Sequence, residues 1–242
     1  MKKMNSFILL LCLFVFAKCC NIPNKDSVYN TYETTMIDSN FNALLSFSEN
    51  GNELLINKDS IMNFIANNGS LWLNSWKTDL STCNFEYSKS GVLLGANDWN
   101  SMELIPDFFD LYQNMLIYSA DNFMCVDLYS YKIGLEKKDS ITWGYIDADT
   151  KIFLLDLINK KSKLLITCGT TKQYDDCIWI SNECFILLGS ESEFTSESEL
   201  FRPFIMIYDI SHNFFLQYNY KQFMNQLNEN YINQKFPNII FK

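Results

Sequence analysis

The chain has 242 residues, with 19 Lys and Arg against 28 Asp and Glu, and its formal net charge is −9. Because affinity for phosphate backbones comes from clustered basic side chains, this balance excludes nucleic acid as a partner. Hydrophobic residues make up 48% of the chain and aromatic residues 16%, which is enough to bury the core of one domain.

The first twenty residues have the pattern of an export signal. Lys2 and Lys3 provide a positive start, and residues 7–17 form an unbroken apolar run. A transmembrane helix needs roughly twenty apolar residues, so this run is short for a membrane span and fits the apolar region of a signal peptide. The alternative is an N-terminal anchor that is not cut off. Export to the cell envelope is the prediction.

The apolar run ends in Phe16-Ala17-Lys18-Cys19-Cys20, which resembles a bacterial lipoprotein signal. In that family a cysteine after small or apolar residues is acylated before the signal is removed. The resemblance implies that Cys19 or Cys20 carries a lipid that anchors the protein to a membrane. Secretion or a periplasmic location with a free N-terminus is the alternative.

The sequence predicts three parts in the chain. Residues 1–20 are the signal, and residues 21–35 are polar and contain Pro23, which is typical of a tether. Residues 36–242 are predicted to form one mainly-β domain. Removal of the signal takes away three lysines and no acid, so the rest of the chain carries a net charge of about −12. Membrane attachment would therefore depend on the acyl chains rather than on anionic head groups.

A hairpin is predicted at the start of the domain. Two apolar runs, residues 41–47 and 53–56, flank the Asn-Gly pair at 50–51. Asn-Gly between apolar runs is a strong hairpin signal because both residues tolerate positive φ.

One helix is predicted near each end of the domain. The first begins at Asp59 or Ser60, which can cap a helix, and stops at Gly69. The second has Asn219 as its cap and Pro237 beyond its end. Its apolar stripe consists of Tyr220, Phe223, Met224, Leu227 and Tyr231. We expect this stripe to pack on the sheet, although a partner-binding helix would use the same residues.

Short apolar runs separated by turn residues fill the chain from about 83 to 220. One pattern, a cysteine, an aromatic residue and then Leu-Leu-Gly, occurs at residues 83–95 and again at 177–189. A second pattern places an aspartate near the end of an apolar run, and its aspartates are Asp127, Asp156 and Asp209. Each aspartate is expected to end a strand and to fold back on the following turn.

These recurrences weakly resemble degenerate β-propeller blades built as antiparallel meanders. The resemblance implies that the strands bearing Trp143 and Trp179 take equivalent inner positions. It also implies that the three aspartate turns lie on one common face. A β-sandwich or a curved sheet is the alternative.

Two polar segments are interpreted as hairpin loops. Residues 190–199 carry four glutamates, and residues 147–151 carry two aspartates. Carboxylate oxygens suit Ca²⁺, but these segments lack the glycine turn of a preorganised cage. We interpret 190–199 as a solvated loop and 147–151 as a polar hairpin tip.

Five cysteines lie beyond the signal, namely Cys83, Cys125, Cys168, Cys177 and Cys184. Their odd number leaves at least one thiol unpaired, and no CxxC or Cys/His spacing suggests a zinc site. Cys177 and Cys184 are expected on strands that flank a tight turn at Ser181-Asn182 and are expected to be reduced.

The sequence contains few residues that indicate catalysis. The single histidine, His212, follows an aspartate-bearing run and is interpreted as a turn residue. There is no Gly-x-Ser-x-Gly elbow, phosphate loop or dinucleotide fingerprint, so no catalytic, metal or cofactor residue is predicted. We expect a protein that acts by binding a protein or glycan or by structural association. The alternatives are a carboxylate-based hydrolase of envelope or extracellular polymers and an acidic immunity-type lipoprotein against a basic toxin.

Overall fold

The computed structural model describes residues 45–47, 54–56, 58–76, 79–80, 84–92, 98–196, 198–225 and 231–242. All of them belong to one compact unit, Met36–Lys242. The predicted acylation positions Cys19 and Cys20, the signal and the tether lie outside the described residues. In the described part of the chain no helix has the length and apolar character needed to cross a membrane.

Strands dominate the described structure, which confirms the predicted mainly-β fold. In chain order the strands are β1 (Leu45–Phe47), β2 (Leu54–Ile56), β3 (Phe85–Val92), β4 (Asn100–Ser101), β5 (Ile117–Tyr118), β6 (Met124–Asp127), β7 (Ile133–Lys138), β8 (Ile141–Ile146), β9 (Thr150–Asp156), β10 (Lys161–Cys168), β11 (Lys172–Ser181), β12 (Cys184–Phe194), β13 (Glu199–Asp209), β14 (Phe214–Tyr220) and β15 (Ile239–Phe241). The helices are α1 (Lys58–Asn68), α2 (Ser70–Ser75), α3 (Phe108–Tyr112) and α4 (Tyr231–Lys235).

Strands β1 and β2 form the hairpin predicted at the start of the domain. They are antiparallel, with Leu45 opposite Ile56 and Phe47 opposite Leu54. The Asn-Gly turn between them lies outside the described residues.

Helix α1 ends at Asn68, next to the stop predicted at Gly69. The backbone N–H of Gly69 donates a hydrogen bond to the Ile65 carbonyl at 2.6 Å. A Cβ at Gly69 would lie 2.8 Å from Ile178 Cδ1 and 3.1 Å from Leu188 Cδ1. A side chain here would have to displace the ends of Ile178 and Leu188, because the chain passes directly over the side chains of β11 and β12.

The largest sheet has five antiparallel strands in the order β11-β12-β13-β14-β3. Strands β12 and β13 form a long hairpin that pairs from Cys184 opposite Asp209 to Phe194 opposite Glu199. Residues 184–190 are buried without interruption, as expected for a strand that is covered on both faces. This strand therefore runs through the centre of the core.

A second five-stranded sheet has the order β4-β10-β9-β6-β5, and β9 is its central strand. A third sheet has the order β15-β8-β7, in which β8 pairs antiparallel with β7 and parallel with β15. The parallel pairing joins the last strand of the chain to a hairpin almost a hundred residues earlier in the sequence.

The predicted antiparallel sheets are present, and their strand orders correspond to curved sheets and do not repeat as four-stranded blades. Trp143 lies on β8, a central strand, whereas Trp179 lies on β11, an edge strand, so their positions are not equivalent. The cysteine pattern does not mark a structural repeat either. Phe85 and Val92 lie on one strand, whereas their counterparts Trp179 and Ile186 lie on two strands of a hairpin.

The three aspartate turns form as predicted, but they do not share a face. Oδ1 of Asp127, Asp156 and Asp209 accepts a hydrogen bond from the backbone N–H three residues later, at 3.0, 2.8 and 3.0 Å. Strands β6 and β9 are antiparallel neighbours, with Asp127 opposite Phe153 and Asp156 opposite Met124. Two of these turns therefore lie at opposite ends of the same sheet.

Both predicted polar loops are corrected by the strand pairing. Most of 190–199 belongs to the hairpin of β12 and β13, and near its tip the Thr195 hydroxyl donates to the Ser198 carbonyl at 2.8 Å. Residues 147–149 connect β8 to β9, and these strands belong to different sheets. The second segment is thus a crossing between sheets and not a hairpin tip.

The predicted C-terminal helix begins later than expected. Asn219 and Tyr220 belong to β14, and Met224 forms an isolated bridge with Phe201. Residues 226–230 lie outside the described residues, and α4 covers Tyr231–Lys235, with Pro237 beyond its end as predicted. The helical spacing of Tyr220 was accidental, because cross-strand pairing with Phe85 decides its conformation.

Candidate functional site

The three-stranded sheet presents one of its faces to solvent. In β8, the side chains of Ile141, Trp143 and Tyr145 alternate onto this face, and in β15 Ile240 lies opposite Trp143. Ile141 is 43% exposed, Tyr145 41% and Ile240 48%, while Trp143 is half-buried. We call Ile141, Trp143, Tyr145 and Ile240 the aromatic face.

Charged side chains border the aromatic face. Glu136 lies opposite Trp143 on β7 and accepts a hydrogen bond from the Tyr145 hydroxyl at 3.1 Å. Lys138 lies opposite Ile141. The Lys242 ammonium is 4.1 Å from the centre of the Trp143 ring and 5.6 Å from that of Tyr145, which are attractive cation–π distances. The border carries two lysines and one glutamate, so it is locally basic on an acidic protein.

The opposite side of this sheet packs inward. Gly144 is buried, and a Cβ at this position would lie 2.7 Å from the Phe241 ring, so a glycine allows Phe241 to cover β8. On β7, the Tyr112 hydroxyl donates to the Ile133 carbonyl at 3.0 Å and accepts from the Leu135 N–H at 3.3 Å. Contacts on the inner side thus hold the sheet while its outer side remains in solvent.

Helix α4 connects the aromatic face to the core through Asp176. The Tyr231 hydroxyl and the Lys235 ammonium both donate to the Asp176 carboxylate. After α4, the Ile239 N–H donates to the Phe236 carbonyl at 3.1 Å, and β15 begins there. Asp176 therefore fixes the helix that places Ile240 beside Trp143.

A β-bulge explains why two consecutive aspartates of β11 are both buried. Tyr174 lies opposite Gly189 and Asp176 lies opposite Leu188, so Asp175 is an extra residue without a partner. A bulge breaks the alternation of a strand and re-aims its side chains. The Asp175 carboxylate accepts a hydrogen bond from Trp72 Nε1 at 3.1 Å, while Asp176 faces α4.

A chain of polar side chains crosses the largest sheet. The Lys172 ammonium donates to Gln217 Oε1 at 2.9 Å, and Gln217 Nε2 donates to Asn219 Oδ1 at 2.7 Å. Asn219 Nδ2 donates to Glu191 Oε1 at 2.8 Å, and Arg202 pairs with the same oxygen. Burial and then the nearby Lys89 ammonium lower the pKa of Lys172 to about 8. Nearly every member is already bonded within the chain, so the network serves to hold the sheet.

The residues singled out for chemistry in the sequence do not come together. His212 is exposed in the turn after β13, and its Nδ1 lies 2.9 Å from Asp209 Oδ2. Cys177 lies opposite Leu187 and Cys184 lies opposite Ser181, so the two thiols are offset along the hairpin. Both lie on strands that flank the turn of this hairpin, as predicted, although the turn residues are 182–183 and not Ser181-Asn182, and neither forms a disulfide within the described chain. In the part of the chain that the structure describes, no group of three or more metal-ligating side chains occurs.

Sequence reasoning missed both the aromatic face and the buried aspartates. Ile141, Trp143 and Tyr145 alternate with polar or small residues, which is the period of a half-exposed strand, but the pairing with Ile240 needs long-range contacts. Asp175 and Asp176 carried a signal of their own, namely two consecutive acids between Tyr174 and the apolar run 177–180.

Comparison with known proteins finds no match for this chain among protein-family models, curated proteins or solved structures.

Proposed function

We propose that the chain is an exported, lipid-anchored protein of the cell envelope that acts by binding a protein partner through the aromatic face. The N-terminal pattern of Lys2, Lys3, the apolar run and Cys19-Cys20 supports export and anchoring. The single observation that carries the binding role is the solvent-facing group of Ile141, Trp143, Tyr145 and Ile240. Large exposed apolar groups bordered by charge are typical of interaction surfaces.

The composition of the face favours a protein over a glycan. Trp and Tyr are the residues that most often dominate protein interfaces, and charged residues gather at the rim. Ile141 and Ile240 flank the rings with aliphatic surface, which would leave sugar hydroxyls without partners. A basic border of Lys138 and Lys242 would attract an acidic rim on the partner.

Two substitutions test the proposal without removing buried groups. Tyr145→Ala and Ile141→Glu alter residues that are 41% and 43% exposed. We expect each to weaken partner capture from envelope extract at least tenfold, while the thermal unfolding of the domain changes little. The measurement is quantitative mass spectrometry of cross-linked partners, with equal amounts of wild-type and variant protein used for capture.

The chain offers matched controls. Tyr131 is exposed to a similar degree, and the Lys151 ammonium lies 4.4 Å from its ring centre, much as Lys242 lies over Trp143. Ile158 is an exposed isoleucine away from the face. Tyr131→Ala and Ile158→Glu should leave capture unchanged. Equal loss with all four variants, or binding of purified glycan that depends on Tyr145, would reject a protein partner at this face.

A further inference from the structure

Lys132 and Asp175 are two buried groups of opposite charge type, and each has a polar atom without a hydrogen-bond partner among the described residues. Lys132 is 5% exposed and Asp175 is 1% exposed. Within the part of the chain that the structure describes, neither Lys132 Nζ nor Asp175 Oδ1 makes a hydrogen bond of normal geometry, although Gln173 approaches closely enough to lower the pKa of Asp175. An isolated buried charge costs so much free energy that a fold normally neutralises or pairs it. These two groups are neither paired nor exposed.

Tyr129 places the two groups in the same region of the core. Its hydroxyl donates to the Asp175 backbone carbonyl at 2.5 Å, and its own carbonyl accepts from the Lys132 backbone N–H at 3.0 Å. The charges of Lys132 and Asp175 act on each other, but burial has the larger effect on both. It lowers the pKa of Lys132 below its usual value and raises the pKa of Asp175 to about 6. Burial therefore disfavours the charged form of both groups.

We propose that Lys132 and Asp175 form an intramolecular isopeptide bond. The lone pair of the neutral Lys132 Nζ attacks Cγ of the protonated Asp175 carboxyl, and the Cγ–Oδ1 bond breaks. Oδ1 leaves as water, taking its own proton and one proton from Nζ. The products are one amide and one water molecule, so the reaction requires no oxidant, reductant or further reactant.

The partners of Asp175 indicate which oxygen leaves. Trp72 Nε1 donates to Oδ2 at 3.1 Å, whereas Oδ1 has no donor among the described residues. A donor on the retained oxygen stabilises the negative charge that develops there when the amine attacks. The neighbouring Asp176 is held by Tyr231 and Lys235, and its charge helps to keep the Asp175 carboxyl protonated. Because no direct ion pair is formed, the flexible Lys132 side chain has to swing onto Cγ.

The bond would add a covalent link between the β6–β7 connection and the largest sheet, which the Tyr129 hydroxyl already joins by its hydrogen bond to the Asp175 carbonyl. Lys132 lies in the turn between β6 and β7, directly before β7, and Asp175 lies at the bulge of β11 in the largest sheet. A cross-link between distant positions restricts the unfolded chain, as a disulfide does. An amide, unlike a disulfide, persists under reducing conditions.

The test is the intact mass of the folded and then denatured full-length protein under reducing conditions. We expect the wild type to be lighter than its sequence by one water molecule, relative to Lys132→Met and Asp175→Ala, which should show their full sequence masses. Processing at the N-terminus changes the mass of the wild type and the variants equally, so it does not affect the mass difference between them. Fragmentation of a digest should also give a branched peptide that joins Lys132 to Asp175.

Lys163→Met is the matched control, because Lys163 is equally buried but its ammonium donates to Asn213 Oδ1 at 3.3 Å. This variant should retain the missing water. A folded wild type with its full sequence mass would overturn the proposal, and so would a missing water that persists in Lys132→Met. The wild-type mass decides the question even if a variant fails to fold.

Discussion

The Tyr231 hydroxyl donates a hydrogen bond to the Asp176 carboxylate across 55 residues of sequence. Tyr231 is fully buried at the start of α4, and Asp176 lies beside the bulge of β11. The contact therefore links the core of the largest sheet to the helix that leads into β15. Since β15 supplies one edge of the aromatic face, a polar contact in the core supports a surface at which we propose binding.

Replacing Asp176 should be far more damaging than replacing Tyr231. Asp176→Ala leaves the Lys235 ammonium and the Tyr231 hydroxyl without their acceptor, and breaking a buried ion pair typically costs about 3 to 5 kcal/mol. Tyr231→Phe removes one hydrogen bond and should cost about 1 to 2 kcal/mol. Urea unfolding of both variants measures the difference. Similar losses would show that the Lys235 contact contributes little.

Gly189 should not tolerate a side chain. A Cβ there would lie 2.1 Å from the Gln173 carbonyl oxygen and 2.7 Å from Phe204 Cζ. Backbone cannot move aside as a flexible side chain can, so Gly189→Ala should cost at least about 3 kcal/mol. The matched control is Gly91→Ala on the edge strand β3, where a Cβ would meet Phe215 at an ordinary 3.6 Å. Equal stability of the two variants would contradict the register at the bulge.

The sequence predicted the parts of the fold that depend on neighbouring residues. The β1–β2 hairpin, the end of α1 near Gly69 and the aspartate turns all follow from short-range hydrogen bonds and backbone preferences. Asp156 is typical, because its carboxylate bonds to the N–H groups of residues 158 and 159 whichever sheet contains the strand. Local chemistry is sufficient in such cases.

The parts that failed depend on distant partners. Ser190 and Glu191 look like loop residues, but Glu191 pairs with Arg202 and accepts from Asn219, and these contacts keep the strand in the sheet. Asn219 has a side chain that can cap a helix, but its contact with the distant Glu191 belongs to a sheet, and the residue lies in β14. The aromatic face requires β15 to pair with β8, and nothing in either segment alone specifies that partner.

The hairpin of β12 and β13 gives a third test. Ser192, Glu193 and Phe194 are paired strand residues, so deletion of 192–198 removes three pairs and disturbs the register of Glu191 with Arg202. We expect it to lower Tm by roughly 5 to 10 °C. Replacing only 195–198 by Asn-Gly, which suits a two-residue hairpin turn, should change Tm by no more than a few degrees. Calorimetry that finds the two variants alike would argue against the long hairpin.

Lys172 should make stability depend on alkaline pH. Its pKa is about 8 in the folded protein and near its usual value, roughly 10.4, when unfolded. Between these values the unfolded chain binds more protons, so the free energy of unfolding rises with pH through this window. Lys172→Met should lack that increment. Urea unfolding at pH 7.5 and pH 10 measures it, and parallel pH profiles for the two proteins would contradict the shift.

Acylation is the fifth expectation. The wild type should partition into detergent and carry the added mass of its acyl chains, because each buried CH₂ contributes about 0.8 kcal/mol and the acidic body adds no attraction to anionic lipid. Replacing both Cys19 and Cys20 by Ser should move the protein to the aqueous phase without that mass.

Single replacements identify the modified residue. If Cys19 is acylated, Cys19→Ser loses the lipid and Cys20→Ser keeps it, and the reverse holds if Cys20 is acylated. Cys12→Ser is the matched control, since Cys12 lies inside the apolar run and should not affect acylation. Recovery of a soluble wild type whose N-terminus lies beyond Cys20 would contradict anchoring, yet it would be compatible with export. The same fractions would then show whether partner capture by the aromatic face depends on the membrane.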